Sequence, residues 1–198
     1  MKIISTIITN AQIKCFGIFG LLLTPVIILI VHYSQNVSPN FWLFLFATGW
    51  FSWTFVEYCM HRFWNHSETA DKNNQLVHLH LYHHTHPTEI KVSKSQRALM
   101  IIICAILISM SILFSKWLML AAGAWAGISW FFLMHYFLHQ KWAVKIFPRR
   151  VKFHIIHHCK EPEACYGVSV GWWDRLFRTL PQKNKPIAER IIDFYYRK

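Results

Sequence analysis

The chain has 198 residues, of which 54% are hydrophobic, 17% aromatic and 15% charged, and it carries a formal net charge of +12. That length suits a single domain spanning residues 1–198, and a charged share well under the roughly one quarter usual in soluble domains points to a membrane protein. The basicity reads as membrane topology and not as nucleic-acid binding, because Lys and Arg gather in particular segments and no RNA- or DNA-binding motif accompanies them.

Residues 15–32 form an apolar run containing Pro25, preceded by Lys2 and Lys14. About 18 residues at 1.5 Å rise approach the thickness of a bilayer core. The run is long for a signal-peptide core and no small-residue cleavage site follows it, so a retained helix is expected, its proline tolerated inside a bundle. A second run, 41–60, is rich in Trp and Phe and holds one acid, Glu57. Residues 61–97 are polar and basic, with Asn73, Asn74 and Pro87 as breakers. A third run covers 98–114, Lys116 and Trp117 mark a tight turn, and a fourth run covers 117–138. From Gln140 the chain is polar and basic to its end. Ten Trp and seven Tyr suit interfacial belts, with Trp172 and Trp173 expected at the membrane surface or in a packed cap.

The placement of Lys and Arg sets an orientation. The N-terminus has two, residues 61–97 five and residues 140–198 thirteen, against none between runs one and two and one, Lys116, between runs three and four. Both termini and the middle segment are therefore expected on the cytoplasmic side.

Ten of the thirteen histidines fall in four clusters with metal-ligand spacing. They are His61 and His66 (HxxxxH), His80, His83 and His84 (HxxHH), His135 and His139 (HxxxH), and His154, His157 and His158 (HxxHH). Neutral imidazole is the commonest protein metal ligand, and ten rings supply two ions with five ligands each. On a helix, positions i, i+3 and i+4 share a face, so each HxxHH projects together. Adjacent pairs such as His83 and His84 point apart and are suited to serving two ions. His61 and His66 lie five apart, so they serve different ions or the helix distorts between them. All four clusters fall on the side assigned to the cytoplasm. Imidazole ligands allow iron, zinc or manganese; redox metals beside a bilayer suggest O2 activation against an apolar substrate, and a zinc pair suggests hydrolysis.

A metal-bound His needs its second nitrogen oriented by a partner. Glu57, one turn before His61, is the candidate for that role, or else a helix-end acid paired with Arg62; Asp174 is a weaker candidate, or a cap. His78 and His86 flank the second cluster, and His32 sits at the far end of the first run. The five cysteines, Cys15, Cys59, Cys104, Cys159 and Cys165, contain no CxxC pair, and reduced thiols are expected. A metal-ion transporter is disfavoured because its ligands belong near the bilayer midplane. A structural zinc cap is disfavoured because such sites are closed four-ligand sites.

These ordered motifs, interleaved with four apolar runs, resemble the fatty acid hydroxylase and sterol desaturase superfamily from Glu57 to about Thr179. The fatty acid 2-hydroxylase branch is the nearest: HLYHHTHP, from His80 to Pro87, is similar to its HGxHHxxP. The stretch YGVSVGWWDRLFRT, from Tyr166 to Thr179, is similar to its FGxSxxxWDxxFxT. The resemblance implies an all-α integral membrane protein with four transmembrane helices and a cytosolic helical cap holding a histidine-rich dimetal site. It implies two iron ions, replaced by zinc in some preparations, with O2 as co-substrate. The product would be a hydroxylated lipid or fatty acyl chain; a carotenoid or sterol oxygenase is the alternative. By the resemblance one ion takes His61, His80, His83, His154 and His157, and the other His66, His84, His135, His139 and His158. Eukaryotic members carry an N-terminal haem domain; with about 14 residues before its first run, this chain is expected to take electrons from a separate b-type cytochrome or ferredoxin-type protein. Phe131 and Phe132 stand where the branch usually has Tyr-Asp.

Overall fold

The structure, a computed structural model, describes residues 10–33, 38–66, 74–181 and 186–197, without the side chains of 29–33. Lys2, the His32 side chain, Asn73 and Lys198 lie outside the described residues. Among these, helices joined by turns make up all the regular structure: α1 (Asn10–Tyr33), α2 (Pro39–Cys59), α3 (Gln75–Thr85), α4 (Lys94–Leu113) and α5 (Leu118–Leu138), followed by the shorter α6 (Ala143–Ile146), α7 (Pro148–Cys159), α8 (Trp172–Leu176) and α9 (Glu189–Tyr196). Three helices, α1, α4 and α5, are long and apolar enough to cross a membrane.

The long helices start where local chemistry can cap them. Ser38 accepts from the Phe41 amide, and Pro39 occupies the first turn of α2, where a missing N–H costs nothing. At α4, Ser93 and Gln96 form a reciprocal capping box, with bonds of 3.1 and 2.7 Å. This cap starts α4 a turn before the apolar run beginning at residue 98. Ser115, Lys116 and Trp117 make the turn into α5.

α2 and α5 pack closest. A Cβ on Gly49 would meet the carbonyl of Leu120, one on Gly123 the carbonyl of Phe46, and one on Gly127 the ring of Trp53. Small residues let two backbones approach without a hydrophobic driving force, as helix pairs in lipid require. Elsewhere large apolar side chains point outward: Ile101, Ile112 and Leu113 on α4 and Leu21 on α1 are exposed, as lipid-facing helices need.

The polar stretch after Gln140 folds back over the C-terminal ends of α2 and α5. Trp173 on α8 is buried, packs edge-on against Phe55 at 5.1 Å and donates through Nε1 to Thr54 at 3.0 Å. Its neighbour Trp172 is exposed, 6.0 Å from Trp50. The pair thus divides, one ring in the core and one on the surface. A second core joins Leu138, Val151, Ile155, Val168 and Tyr195.

Candidate metal centre

All ten clustered histidines converge at the C-terminal ends of α2 and α5, between α3 and α7. They form two groups, His61, His66, His80, His84 and His157, and His83, His135, His139, His154 and His158, each with ring nitrogens within 4.8 Å of one another. Adjacent residues do divide between groups: His83 from His84, and His157 from His158. The membership differs from the split implied by the resemblance. His83 and His154 join the second group, and His66 and His84 join the first. The reason is the placement of α3 against α7: the His84 and His157 rings lie 4.8 Å apart, and those of His83 and His158 4.7 Å.

His61 and His66 share a group because the helix distorts. After Cys59 the chain winds one wider π turn, Met60–Asn65, whose i→i+5 bonding brings residues five apart nearly into line. Their rings are 5.1 Å apart. A regular α-helix would have separated them.

Each group has the donor set and spacing of a metal site. The Nε2 atoms of His66 and His80 face each other at 2.7 Å, and those of His80 and His84 at 3.1 Å. In the second group the His83–His135 and His139–His154 pairs face at 2.9 and 3.0 Å. Two imidazole nitrogens bound side by side to one ion at about 2.1 Å stand about 3.0–3.4 Å apart, close to this spacing. The Nε2 atoms of His61 and His157, and both ring nitrogens of His158, are buried with no hydrogen-bond partner among the described residues. Buried polar atoms without partners are costly, and a bound ion would satisfy one ring nitrogen of each of these three histidines. The residues therefore fit two metal ions. No cysteine joins either group, and all five thiols are free.

Protonation favours binding too. Burial pushes His61, His80, His139, His154, His157 and His158 well below the ordinary imidazole range, and neighbouring rings push the same way. Burial brings His66 to about 3 and His83 and His84 to about 4. All are neutral at pH 7, the form that binds metal.

The outer nitrogens are oriented by backbone. Nδ1 of His61 meets the Tyr166 carbonyl at 2.6 Å, and Nδ1 of His157 the Ala164 carbonyl at 2.8 Å. Both carbonyls belong to a strap, residues 160–171, held by two buried acids. Asp174 accepts from the amides of Tyr166 and Gly167 at 2.9 Å and from the Thr179 hydroxyl at 2.8 Å. Glu57 accepts through Oε1 from the amides of Val168 and Ser169 at 2.8 Å. Four consecutive amides are thus gripped by carboxylates. Neither acid orients a histidine directly, and neither is a simple surface ion pair; Arg62 donates instead to Tyr58 at 3.0 Å. A side chain on Gly167 would strike the Val170 carbonyl and the Asp174 carboxylate, so only glycine fits there.

Tyr195 on α9 carries no cluster signature, yet it is fully buried against the second group. Its ring lies 4.8 Å from that of His139 and 5.6 Å from that of His158. Tyr166 sits similarly against His61 and His157 of the first group, at 5.8 and 5.9 Å. His78 and His86 lie outside both groups; His86 is exposed and stacks on Tyr82 at 4.1 Å.

A cavity of about 530 Å³ opens beside the two groups. Trp53, Trp64, Leu76, Leu79, Phe131 and Phe132 give it apolar walls, and His61 and His80 of one group and His83 and His135 of the other reach its inner surface. Tyr82, which donates to Glu89 at 3.0 Å, adds a polar edge with Asn65 and His86.

Known proteins share this architecture. The family described as fatty acid hydroxylase matches residues 46–179. The chain is 28% identical over 163 residues to the ceramide very long chain fatty acid hydroxylase SCS7 of Saccharomyces cerevisiae, covering 78% of this chain and 42% of that protein. It is 26% identical to the fatty acid 2-hydroxylase of Mus musculus, covering 78% and 44%. The chain thus spans less than half the length of these two relatives. A solved structure, full-length scs7p with only the hydroxylase domain visible, aligns with a TM-score of 0.52 and 26% identity over 85% of this chain and 67% of that one. Four ordered histidine motifs, their convergence and the match over most of the chain lead to one conclusion: this protein belongs to the fatty acid hydroxylase family.

Proposed function

We propose that the chain is an O2-dependent di-iron oxygenase that hydroxylates a lipid or fatty acyl chain within the membrane. The observation that carries this reading is the apolar cavity whose inner surface holds two histidines from each five-membered group. A hydrocarbon chain lying between Trp53, Trp64, Phe131 and Phe132 would meet both centres at once. The names of the relatives support a lipid as the substrate.

His61, His66, His80, His84 and His157 would hold one ion, and His83, His135, His139, His154 and His158 the other. The two ions, once bound, supply reduction of O2 and oxidation of an unactivated C–H bond. The chain's own contribution is geometry and dryness. Apolar walls exclude water from the reacting carbon and fix the chain against the histidines. The strap orients His61 and His157 through the carbonyls of Tyr166 and Ala164, so that their free nitrogens face the first centre. Tyr195 packs the second centre from behind. Electrons would come from a separate b-type cytochrome or ferredoxin-type protein.

In the bilayer, α2 would be a fourth span beside α1, α4 and α5. Its 21 residues reach about 30 Å, and its three tryptophans lower its hydropathy without adding charge. The segments after α2 and α5 would then form a cytosolic cap, with the histidines and both termini on that side and residues 1–198 acting as one domain.

Comparing the lipids of cells with and without the gene, grown under 18O2, tests the reading. A hydroxylated acyl lipid that carries 18O and disappears with the gene supports it. Unchanged lipids, or a product labelled from water, would contradict it.

A further inference from the structure

A second cavity, of about 270 Å³, reaches the histidines from a different direction. His154, buried, is among its lining residues, with Nε2 3.0 Å from that of His139 in the second group. Arg149, Arg150, Arg175 and Trp172 stand around it. It shares no lining residue with the apolar cavity.

The three arginines differ in what offsets them. Arg150 is partly buried; its Nη1 donates to the carbonyls of Gly167 and Val168 at 3.2 and 3.1 Å, and its charge faces Glu57 and Asp174. Those two acids are themselves buried and gripped by the strap amides. Arg149 and Arg175 are exposed; Arg149 lies 5.3 Å from the ring of Phe153. The cleft therefore carries exposed positive charge and is lined by a histidine of the second group.

Hydroxylation as proposed above balances as R–H + O2 + 2 e⁻ + 2 H⁺ → R–OH + H2O, so each turnover takes two electrons from outside. A hydrocarbon chain filling the apolar cavity closes that side to a donor. We propose that Arg149 and Arg175 form the docking rim for an acidic one-electron carrier protein, which delivers its electrons to the second centre by way of His154. The inference rests on the oxygenase reading. It commits to a redox protein, and not to a lipid headgroup, because one of the clustered histidines lines the cleft. A basic rim of this kind raises the encounter rate with an acidic partner, and salt screens the effect.

The test uses the full chain, iron-loaded in nanodiscs, and the soluble domain of an acidic b-type cytochrome as the reduced donor. Stopped-flow mixing reads the second-order rate of cytochrome reoxidation. For the wild type this rate should fall at least about tenfold from about 20 mM to about 500 mM salt. At low salt R149E/R175E should lower it by about tenfold, and R149K/R175K should restore it, with metal content equal in all three proteins. A salt-independent rate, or an R149E/R175E rate equal to wild type, overturns the proposal. So does an R149E/R175E protein that loses affinity only for vesicles containing anionic lipid. Product formed by the wild type with dithionite as reductant checks the oxygenase reading separately; no product from either reductant would sink that reading, and the docking proposal with it.

Discussion

The rings of Tyr195 and His139 lie nearly parallel, 22° apart, with centroids separated by 4.8 Å. The Tyr195 hydroxyl donates to the Leu138 carbonyl at 3.1 Å, which fixes the end of α5 one residue before His139. A helix from the far end of the chain thus sets a histidine of the second group. Tyr195→Phe keeps the ring contact and loses one hydrogen bond, at about 1 kcal/mol. Tyr195→Ala removes a buried aromatic ring, at about 3–5 kcal/mol. The expected outcome is two metal ions per chain in the Phe variant and about one in the Ala variant, read by elemental analysis of folded protein. Full occupancy in the Ala variant would show that α9 only covers the site.

Asp174 should matter through the strap. Asp174→Asn replaces one acceptor oxygen by an NH2 group facing the Tyr166 or Gly167 amide, which leaves a buried donor unpaired at about 1–3 kcal/mol. Melting in detergent should start lower than for wild type, and occupancy of the first group should drop because the Tyr166 carbonyl no longer holds His61. An unchanged melting curve with both ions retained would place the hold on the strap elsewhere, in Glu57 or Arg150.

Both ends of the chain should face the cytoplasm, with the loop near Gln35 on the opposite side, given the Lys and Arg split of twenty against one. Reporter fusions after Lys198 and near Gln35 read this directly. A C-terminus on the far side would separate the histidines from any cytoplasmic donor.

Acid should unfold the metal-free protein. His66, at about 3, and His83 and His84, at about 4, stay neutral in the fold, whereas unfolded imidazoles titrate near about 6.5. Below about 6.5 the unfolded chain binds protons that the folded site refuses, so stability falls as pH falls. Asp174 acts in the opposite sense. Burial raises it to about 6, above the unfolded carboxyl near about 3.9, so its penalty is relieved as pH drops through 6. The two buried acids, Glu57 and Asp174, are outnumbered by the buried imidazoles. The melting midpoint of chelator-treated protein should decrease steadily from about pH 7 to about pH 5; a flat or rising midpoint would mean that the imidazoles are solvated.

The ten histidines and the long apolar helices are legible in the sequence because spacing and hydropathy are local properties. The division between groups is not. His83 and His154 pair according to how α3 sits against α7, and no single-helix periodicity contains that. The spacing of His61 and His66 leaves two readings open, and the π turn after Cys59 decides between them. Glu57 is recognisable as an unusual acid, but its partners are the amides of Val168 and Ser169, 111 and 112 positions away. The orienting groups for His61 and His157 are backbone carbonyls, which no side-chain motif can announce. Tyr195 lies in a stretch that reads as a basic tail; the apolar positions of IIDFYY at its end, Ile191 to Tyr196, are the one signal of a buried helix face.

Elemental analysis of detergent-purified protein, expressed with iron and handled anaerobically, bears most directly on the two-centre site. Two ions per chain are expected for the wild type, and about one for either His157→Ala or His139→Ala, since each belongs to a different group of five. One ion or none in the wild type, or two ions retained in both variants, would contradict two five-histidine centres.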